Sequence, residues 1–255
     1  MRGLTAIAAI LLLLPSERLA GETSGRVLVF SKTAGFRHDS IPDAVAAIRE
    51  LGRTHGFAVD ATEDSSVFDD ATLAAYSAVV FLCTTGDVLD EAQQAAFQRY
   101  IEAGGGFVGI HSAADTEYDW PWYGDLVGAY FKGHPAVQPA TIVVSDSVHP
   151  STRSLPTRWN RTDEWYDFRT NPRGRVHVLA TVTEATYSGG GMGPDHPIAW
   201  CQFYGGGRAW YTALGHTRES YSEPLFLQHL SGGIQFAAGF PDGDCPAVRS
   251  LPPRP

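Results

Sequence analysis

The chain has 255 residues, 44% hydrophobic and 18% charged, which is enough to bury a full core in one large domain or two smaller ones. Its net charge of −9 and lack of any basic run speak against a nucleic-acid or anionic-membrane partner, since such surfaces need clustered Lys and Arg. Six Trp, ten Tyr and nine His among few charges suit a pocket for a polar small molecule.

Arg2 precedes an apolar run over residues 4–14 that ends at Pro15. A run of that length matches the h-region of a signal peptide and falls short of the roughly 20 residues that span a bilayer. Ala20 fits the position before cleavage, although Arg18 stands where a small residue is usual. Residues 1–20 therefore read as a signal peptide, with a mature chain from about Gly21 that has no transmembrane span and is periplasmic or secreted. Three Cys allow at most one internal disulfide. Cys83 and Cys201 read as small core residues, and Cys245 is available to pair with a partner the sequence does not identify.

Residues 26–30 form a short apolar run suited to a central parallel strand buried on both faces. After the polar loop 31–40, Ala44, Ile48 and Leu51 predict a helix over 41–55, with Ser40 as N-cap and Pro42 in its first turn. Residues 57–61 read as the second strand. Asp69 or Asp70 caps a short helix through Tyr76, and 78–83 is the third strand. An amphipathic helix over 90–103 stops at Gly104, and 107–111 is the fourth strand. This alternation implies a doubly wound, mostly parallel α/β sheet with right-handed crossovers. An added β-rich, aromatic section occupies 120–193, with strands at 141–144 and 176–182. Strands 198–203 and 208–214 make a hairpin around Gly205-Gly206-Gly207, and 224–238 is a closing helix. One domain over 25–240 followed by a Pro-rich irregular tail, 241–255, is the simplest organisation.

In a parallel sheet, ligands bind in the crevice beyond the carboxyl ends of the strands, where residues distant in sequence meet. His38 follows the first strand, Asp87 the third, His111 and Asp115 the fourth, and His216 the run 211–215. His111 falls at a sharp strand-to-turn elbow, Gly109-Ile110-His111-Ser112-Ala113, where hydrolases place a nucleophile. Ser112 lacks the G-x-S-x-G setting, and Gly104-Gly105-Gly106 precedes a strand rather than following one, so neither a serine nucleophile nor a phosphate-binding loop is indicated. Asp163-Glu164-Trp165-Tyr166 joins two carboxylates to two aromatic rings, acid/base groups beside stacking faces for a sugar; a solvated turn beside core aromatics would look the same. Trp120 and Trp122 read as a substrate wall or a packed loop. His134 and His196 each precede a proline and read first as rigid turn residues, with His196 retained as a candidate substrate contact. As ligands for zinc or another divalent ion the chain offers His38, His111, His134, His216, Asp115 and Glu164, without the local spacing of HExxH or CxxC.

From about Val27 to Gly239 these motifs resemble the ThuA-like family, named for trehalose utilisation. The markers are Gly35-Phe36-Arg37-His38, the stretch from Gly105 through the elbow to Ala113, and Gly133-His134-Pro135. Asp163-Glu164-Trp165-Tyr166, His196-Pro197-Ile198-Ala199-Trp200 and 211–216 complete the set. The resemblance implies a flavodoxin-like fold of the class I glutamine amidotransferase type. Those enzymes carry Cys where His111 stands, and a His-x-Glu pair where this chain has His216 and Arg218, so glutaminase chemistry is not expected. The resemblance implies instead a role in sugar or glycoside metabolism, on substrates oxidised to a keto form by a partner sugar dehydrogenase. Under that reading His111 and Glu164 are acid/base candidates and Asp115 orients His111. His216 and His38 bind or polarise a carbonyl, directly or through a metal such as zinc, while Trp120, Trp165, Tyr166 and His196 contact the sugar. The alternatives are a non-catalytic carbohydrate-binding protein and a metal-assisted hydrolase of another small substrate.

Overall fold

The computed structural model describes residues 25–240 and 243–246; the expected signal peptide, 1–20, and most of the tail lie outside the described residues. The parallel half is built first along the chain. It comprises β1 (Arg26–Phe30), α1 (Ile41–His55), β2 (Ala58–Thr62), α2 (Asp70–Leu73), β3 (Ala78–Leu82), α3 (Glu91–Glu102) and β4 (Gly106–Ile110). Every residue of β3 and β4 is buried, which is why these strands read as unbroken apolar runs rather than alternating ones. Asp90 caps α3 in a reciprocal capping box with Gln93, and Gly104, at φ +100°, turns the chain out of the helix end.

Short elements follow: α4 (Pro121–Val127), β5 (Phe131–Gly133), β6 (Gln138–Val144), β7 (Arg158–Asp163) and β8 (Asp167–Phe168). The chain closes with β9 (His177–Val182), the hairpin β10 (Pro197–Tyr204) and β11 (Gly207–Thr212), and α5 (Pro224–Ala237). One nine-stranded sheet has the order β2-β1-β3-β4-β11-β10-β9-β6-β7, and β5 pairs with β8 apart from it. Strands β2 to β11 in that order are parallel neighbours, whereas β10, β9, β6 and β7 extend the sheet antiparallel. Three strands separate β7 from β11 in the sheet, yet Asp163 and Arg161 at its end touch Gly215, His216 and Ser220. The extension therefore curls back so that its edge strand reaches the carboxyl end of β11.

Several expectations are corrected. Ser40 sits at the start of α1 with helical dihedrals and makes no cap; its hydroxyl turns instead to the carbonyl of Gly215 at 3.4 Å. Strand β2 starts one residue later than expected, and α2 ends at Leu73. Pro121 opens a helix rather than a loop. Strand β7 does alternate, but its buried residues are Trp159, Arg161 and Asp163, so charge occupies the inward positions and the apolar alternation that signals a strand is missing. Cys201 is more than a core residue: it forms the disulfide with Cys245 that anchors the tail to β10.

Candidate active site

The elbow after β4 is present. His111 has φ +53°, a left-handed conformation that a branched or bulky residue adopts only when its surroundings enforce it. The enforcement comes from two hydrogen bonds: the Tyr211 hydroxyl donates to the His111 carbonyl at 2.8 Å, and His111 Nδ1 donates to the carbonyl of Ala213 at 2.8 Å. A carbonyl can only accept, so the proton of a neutral His111 resides on Nδ1 and the lone pair on Nε2. That nitrogen lies 3.2 Å from His216 Nδ1 and 3.5 Å from Glu164 Oε2. His216 Nδ1 is itself 3.2 Å from the same carboxylate oxygen. His38 completes the group, its ring 4.7 Å from that of His111 and 5.2 Å from that of His216. Ligand atoms of His38, His111, Glu164 and His216 lie within 4.8 Å of one another; all but His216 are buried.

Their charge states follow from their neighbours. Burial, reinforced by the positive potential of His111 and His216, lowers the pKa of His38 to about 3 and keeps it neutral. Burial alone would raise the Glu164 carboxyl, but its imidazole neighbours His111 and His216 outweigh it and hold the group well below the usual carboxylate range. Desolvation likewise opposes the charge on His216, and Glu164 overcomes it, raising the imidazole above its ordinary value. Glu164 and His216 thus form an ion pair, with His111 Nε2 beside it.

Glu164 follows β7, and its place is fixed by Asp163. One carboxylate oxygen of Asp163 accepts from the amides of Glu164 and His216, and the other from Gly215 N and, at 3.1 Å, Arg161. Asp163 is fully buried, so it acts as a clamp between the extension and the β11 loop and not as an acid or base. Arg161 is buried against the rings of Trp159 and Phe226.

Other expected site residues are placed elsewhere. Asp115 does not orient His111, whose Nδ1 is taken by Ala213; it accepts from the Tyr118 hydroxyl, and burial raises its pKa. Asp87 stays exposed, outside the cluster. Trp165 is buried and donates to the carbonyl of Gln138, leaving no face for a sugar. Trp120 stacks on Trp122 at 4.9 Å, and Trp122 packs against Phe97 and Tyr204. Tyr166 does reach the site: its ring lies 4.3 Å from that of His111. His196 is fully buried and touches the crevice only indirectly, donating from Nε2 to the carbonyl of Tyr166 at 2.8 Å. Two residues were undervalued by sequence reasoning. His134, read as a turn residue, stands with Nδ1 3.0 Å from Glu164 Oε1 and is half-exposed. Phe36, 65% exposed, sets its ring edge-on to His38 at 4.9 Å. Both lie in motifs the sequence displayed, but a spacing cannot say which loop folds over a crevice.

A parallel sheet with an elbow beyond one of its central strands is the class I glutamine amidotransferase-like arrangement, here with an imidazole at the elbow and no carboxylate two residues past His216. Arg218, which stands where that carboxylate would be, is bound to Asp43 on the surface. The chain belongs to the ThuA family, described as trehalose utilisation, whose model matches residues 26–237. Among solved structures it is similar to a ThuA-like protein of Bacteroides uniformis, at 24% identity and TM-score 0.75, covering 88% of this chain and 95% of that one. A ThuA-like protein of Parabacteroides merdae is 20% identical with TM-score 0.69, covering 89% and 93%. A β-galactosidase of Bacillus circulans shares the fold at 13% identity and TM-score 0.57, where 87% of this chain matches 32% of that enzyme. No curated protein sequence matches significantly.

Proposed function

We propose that this protein is an exported ThuA-family enzyme that converts a keto-sugar or keto-glycoside by general acid–base chemistry. The observation that carries the reading is the approach of His111 Nε2, His216 Nδ1 and Glu164 Oε2 to within 3.2–3.5 Å of one another in a largely buried cluster. A keto group acidifies the neighbouring C–H, and a base that takes that proton permits either isomerisation or expulsion of a β-positioned glycosidic oxygen. In the elimination the C–H bond breaks, its electron pair forms C=C, and the C–O bond breaks as its oxygen receives a proton. His216, the partly exposed member of the four, is the group placed to meet substrate; His111 and Glu164 lie behind it and accept or return its proton, and Glu164 raises its pKa. Neutral His38 offers a hydrogen bond to the substrate carbonyl, and the exposed ring of Phe36 offers a stacking face for the sugar.

The donors His38, His111, Glu164 and His216 also suit zinc, and His111 carries the carbonyl-anchored Nδ1–H typical of metal-binding imidazoles. An ion held there would polarise the keto oxygen as a Lewis acid. A purely carbohydrate-binding role finds less support, since Trp120, Trp122 and Trp165 are engaged in packing. Export is supported by the apolar N-terminal run and by the Cys201–Cys245 disulfide, a bond that persists in oxidising compartments. A dehydrogenase that oxidises the sugar would supply the substrate.

The test is to incubate the purified protein with oxidised and unoxidised disaccharides, with and without chelator, and to follow product by chromatography. Turnover of the keto-disaccharide alone is expected, and it should fall by about 10²–10⁴-fold in His216→Ala with little change in melting temperature. Equal activity of variant and parent would overturn the role assigned to His216, and no turnover of any keto-sugar would overturn the enzyme reading.

A further inference from the structure

A second polar cluster lies behind Tyr166, apart from the crevice. Its members are Asp167 of β8, Glu184 in the short turn after β9, and His196 just before β10. His196 is fully buried, and its Nε2 must donate to the carbonyl of Tyr166 at 2.8 Å, because that oxygen can only accept. The lone pair of a neutral His196 then sits on Nδ1, and Nδ1 faces Glu184 Oε1 at 2.9 Å. A positive charge between them, a proton or a metal ion, satisfies both.

The surroundings bring negative charge and open ligand positions to the same point. Asp167 Oδ1 accepts from Gly191 N, and Glu184 Oε1 from Met192 N; Asp167 Oδ2 and Glu184 Oε2 make no hydrogen bond among the described residues. The Tyr187 hydroxyl stands 3.1 Å from His196 Nδ1. The loop 189–193 closes over the carboxylates so tightly that a Cβ at Gly190 would lie 2.6 Å from the carboxyl carbon of Glu184. One at Gly191 would lie 2.6 Å from Asp167 Oδ2, so a side chain at either position would push a carboxylate aside. One ligand atom from each of the three side chains lies within 4.8 Å of the others.

We infer that Asp167, Glu184 and His196 bind a divalent transition cation such as Mn²⁺ or Zn²⁺, separate from anything held in the crevice. One imidazole with two carboxylates is a donor set for such ions, and an imidazole that ligates through one nitrogen characteristically donates from the other to a backbone carbonyl. A proton between Nδ1 and Glu184 would satisfy that pair alone; a cation also engages Asp167, whose ligand atom lies within 4.8 Å of the other two. It neutralises the two carboxylates and pins His196, hence the backbone of Tyr166, whose ring lies against His111. The site is a structural support for the crevice wall and stands whatever the crevice does.

The experiment uses the full chain carrying Glu164→Gln and His216→Ala, so that the crevice no longer competes for metal. After chelation and dialysis it is titrated with Mn²⁺ and Zn²⁺, bound ion is counted by elemental analysis, and Co²⁺ loading is followed by visible absorption. One ion per chain is expected, with a Co²⁺ band that shows nitrogen ligation. Asp167→Asn or Glu184→Gln added to that background should weaken binding at least tenfold while circular dichroism stays unchanged. A background chain that binds no ion overturns the inference, whether or not the added variants fold. So does an ion whose affinity survives both substitutions.

Discussion

The parallel and antiparallel halves of the sheet contribute different chemistry to one crevice. The parallel strands β1, β4 and β11 end in His38, His111 and His216, three imidazoles and no carboxylate. The antiparallel extension supplies Glu164 and His134 from the loops beside its curled edge strand. The extension sets the charge of one of these imidazoles: His216 is raised because Glu164 reaches it. The crevice is only as well formed as the joint between the halves, and that joint is Asp163.

Breaking the joint should have the largest effect. Asp163→Ala removes the acceptor for three backbone amides and the nearer carboxylate partner of buried Arg161. Loss of one partner from a buried ion pair costs about 3–5 kcal/mol, and urea unfolding should show a loss in that range. A loss below about 1 kcal/mol would mean that the halves hold together without the clamp. Cys245→Ser loosens the extension alone, because the disulfide joins the tail to β10. A destabilisation of about 2–4 kcal/mol is expected, matched by reductant acting on the parent protein. If reductant leaves the parent melting temperature in place, the tail contributes nothing to the extension.

A pH titration distinguishes the joint from the rest of the core. His38, His149 and His229 are buried, chiefly lowered by desolvation to about 3, about 4 and about 3, so each is neutral when folded. Unfolding lets each take a proton below its ordinary value of 6.5. Their contribution is therefore present above about pH 6.5 and lost as pH falls from there towards 4. His216 has the opposite sign: its raised pKa stabilises the fold below about 6.5 and ceases to do so as pH rises through the folded value. Glu164, depressed in the fold, contributes above its ordinary 4.5 and is lost only in stronger acid. The melting temperature should fall from pH 7 to 4.5, and more steeply in Glu164→Gln, where the Glu164–His216 pair no longer offsets the buried histidines. A flat profile in the parent would show that those histidines are not held neutral.

The same division explains what the sequence disclosed. Strands β1, β3 and β4 announce themselves as apolar runs because both their faces are covered, and residues at their carboxyl ends can be assigned to a crevice by topology alone. His38, His111 and His216 were legible for that reason. Glu164 stood out through its motif, but nothing in it indicated a strand, since β7 turns Arg161 and Asp163 inward. The aromatic residues misled in the opposite direction. Trp120 and Trp165 have the composition of a sugar platform, yet a tryptophan is also the largest core filler, and only tertiary packing separates the two uses. Phe36 lacked any such signal, being one aromatic in a polar loop that happens to fold over His38.

The smallest predicted effects bear on that last contrast. Phe36 is exposed beside the histidines, whereas Trp120 is stacked within the shell formed by Trp122 and Tyr123. Phe36→Ala should raise KM for a keto-disaccharide about tenfold through loss of stacking and leave kcat and the melting temperature near parental values. Trp120→Ala should do the reverse, lowering stability by about 1–3 kcal/mol with KM unchanged, because the lost contacts are internal. Reading KM and melting temperature on both variants separates a sugar face from a packed one. A raised KM in Trp120→Ala without destabilisation would return that ring to the substrate, and an unchanged KM in Phe36→Ala would remove the mouth of the crevice from sugar recognition.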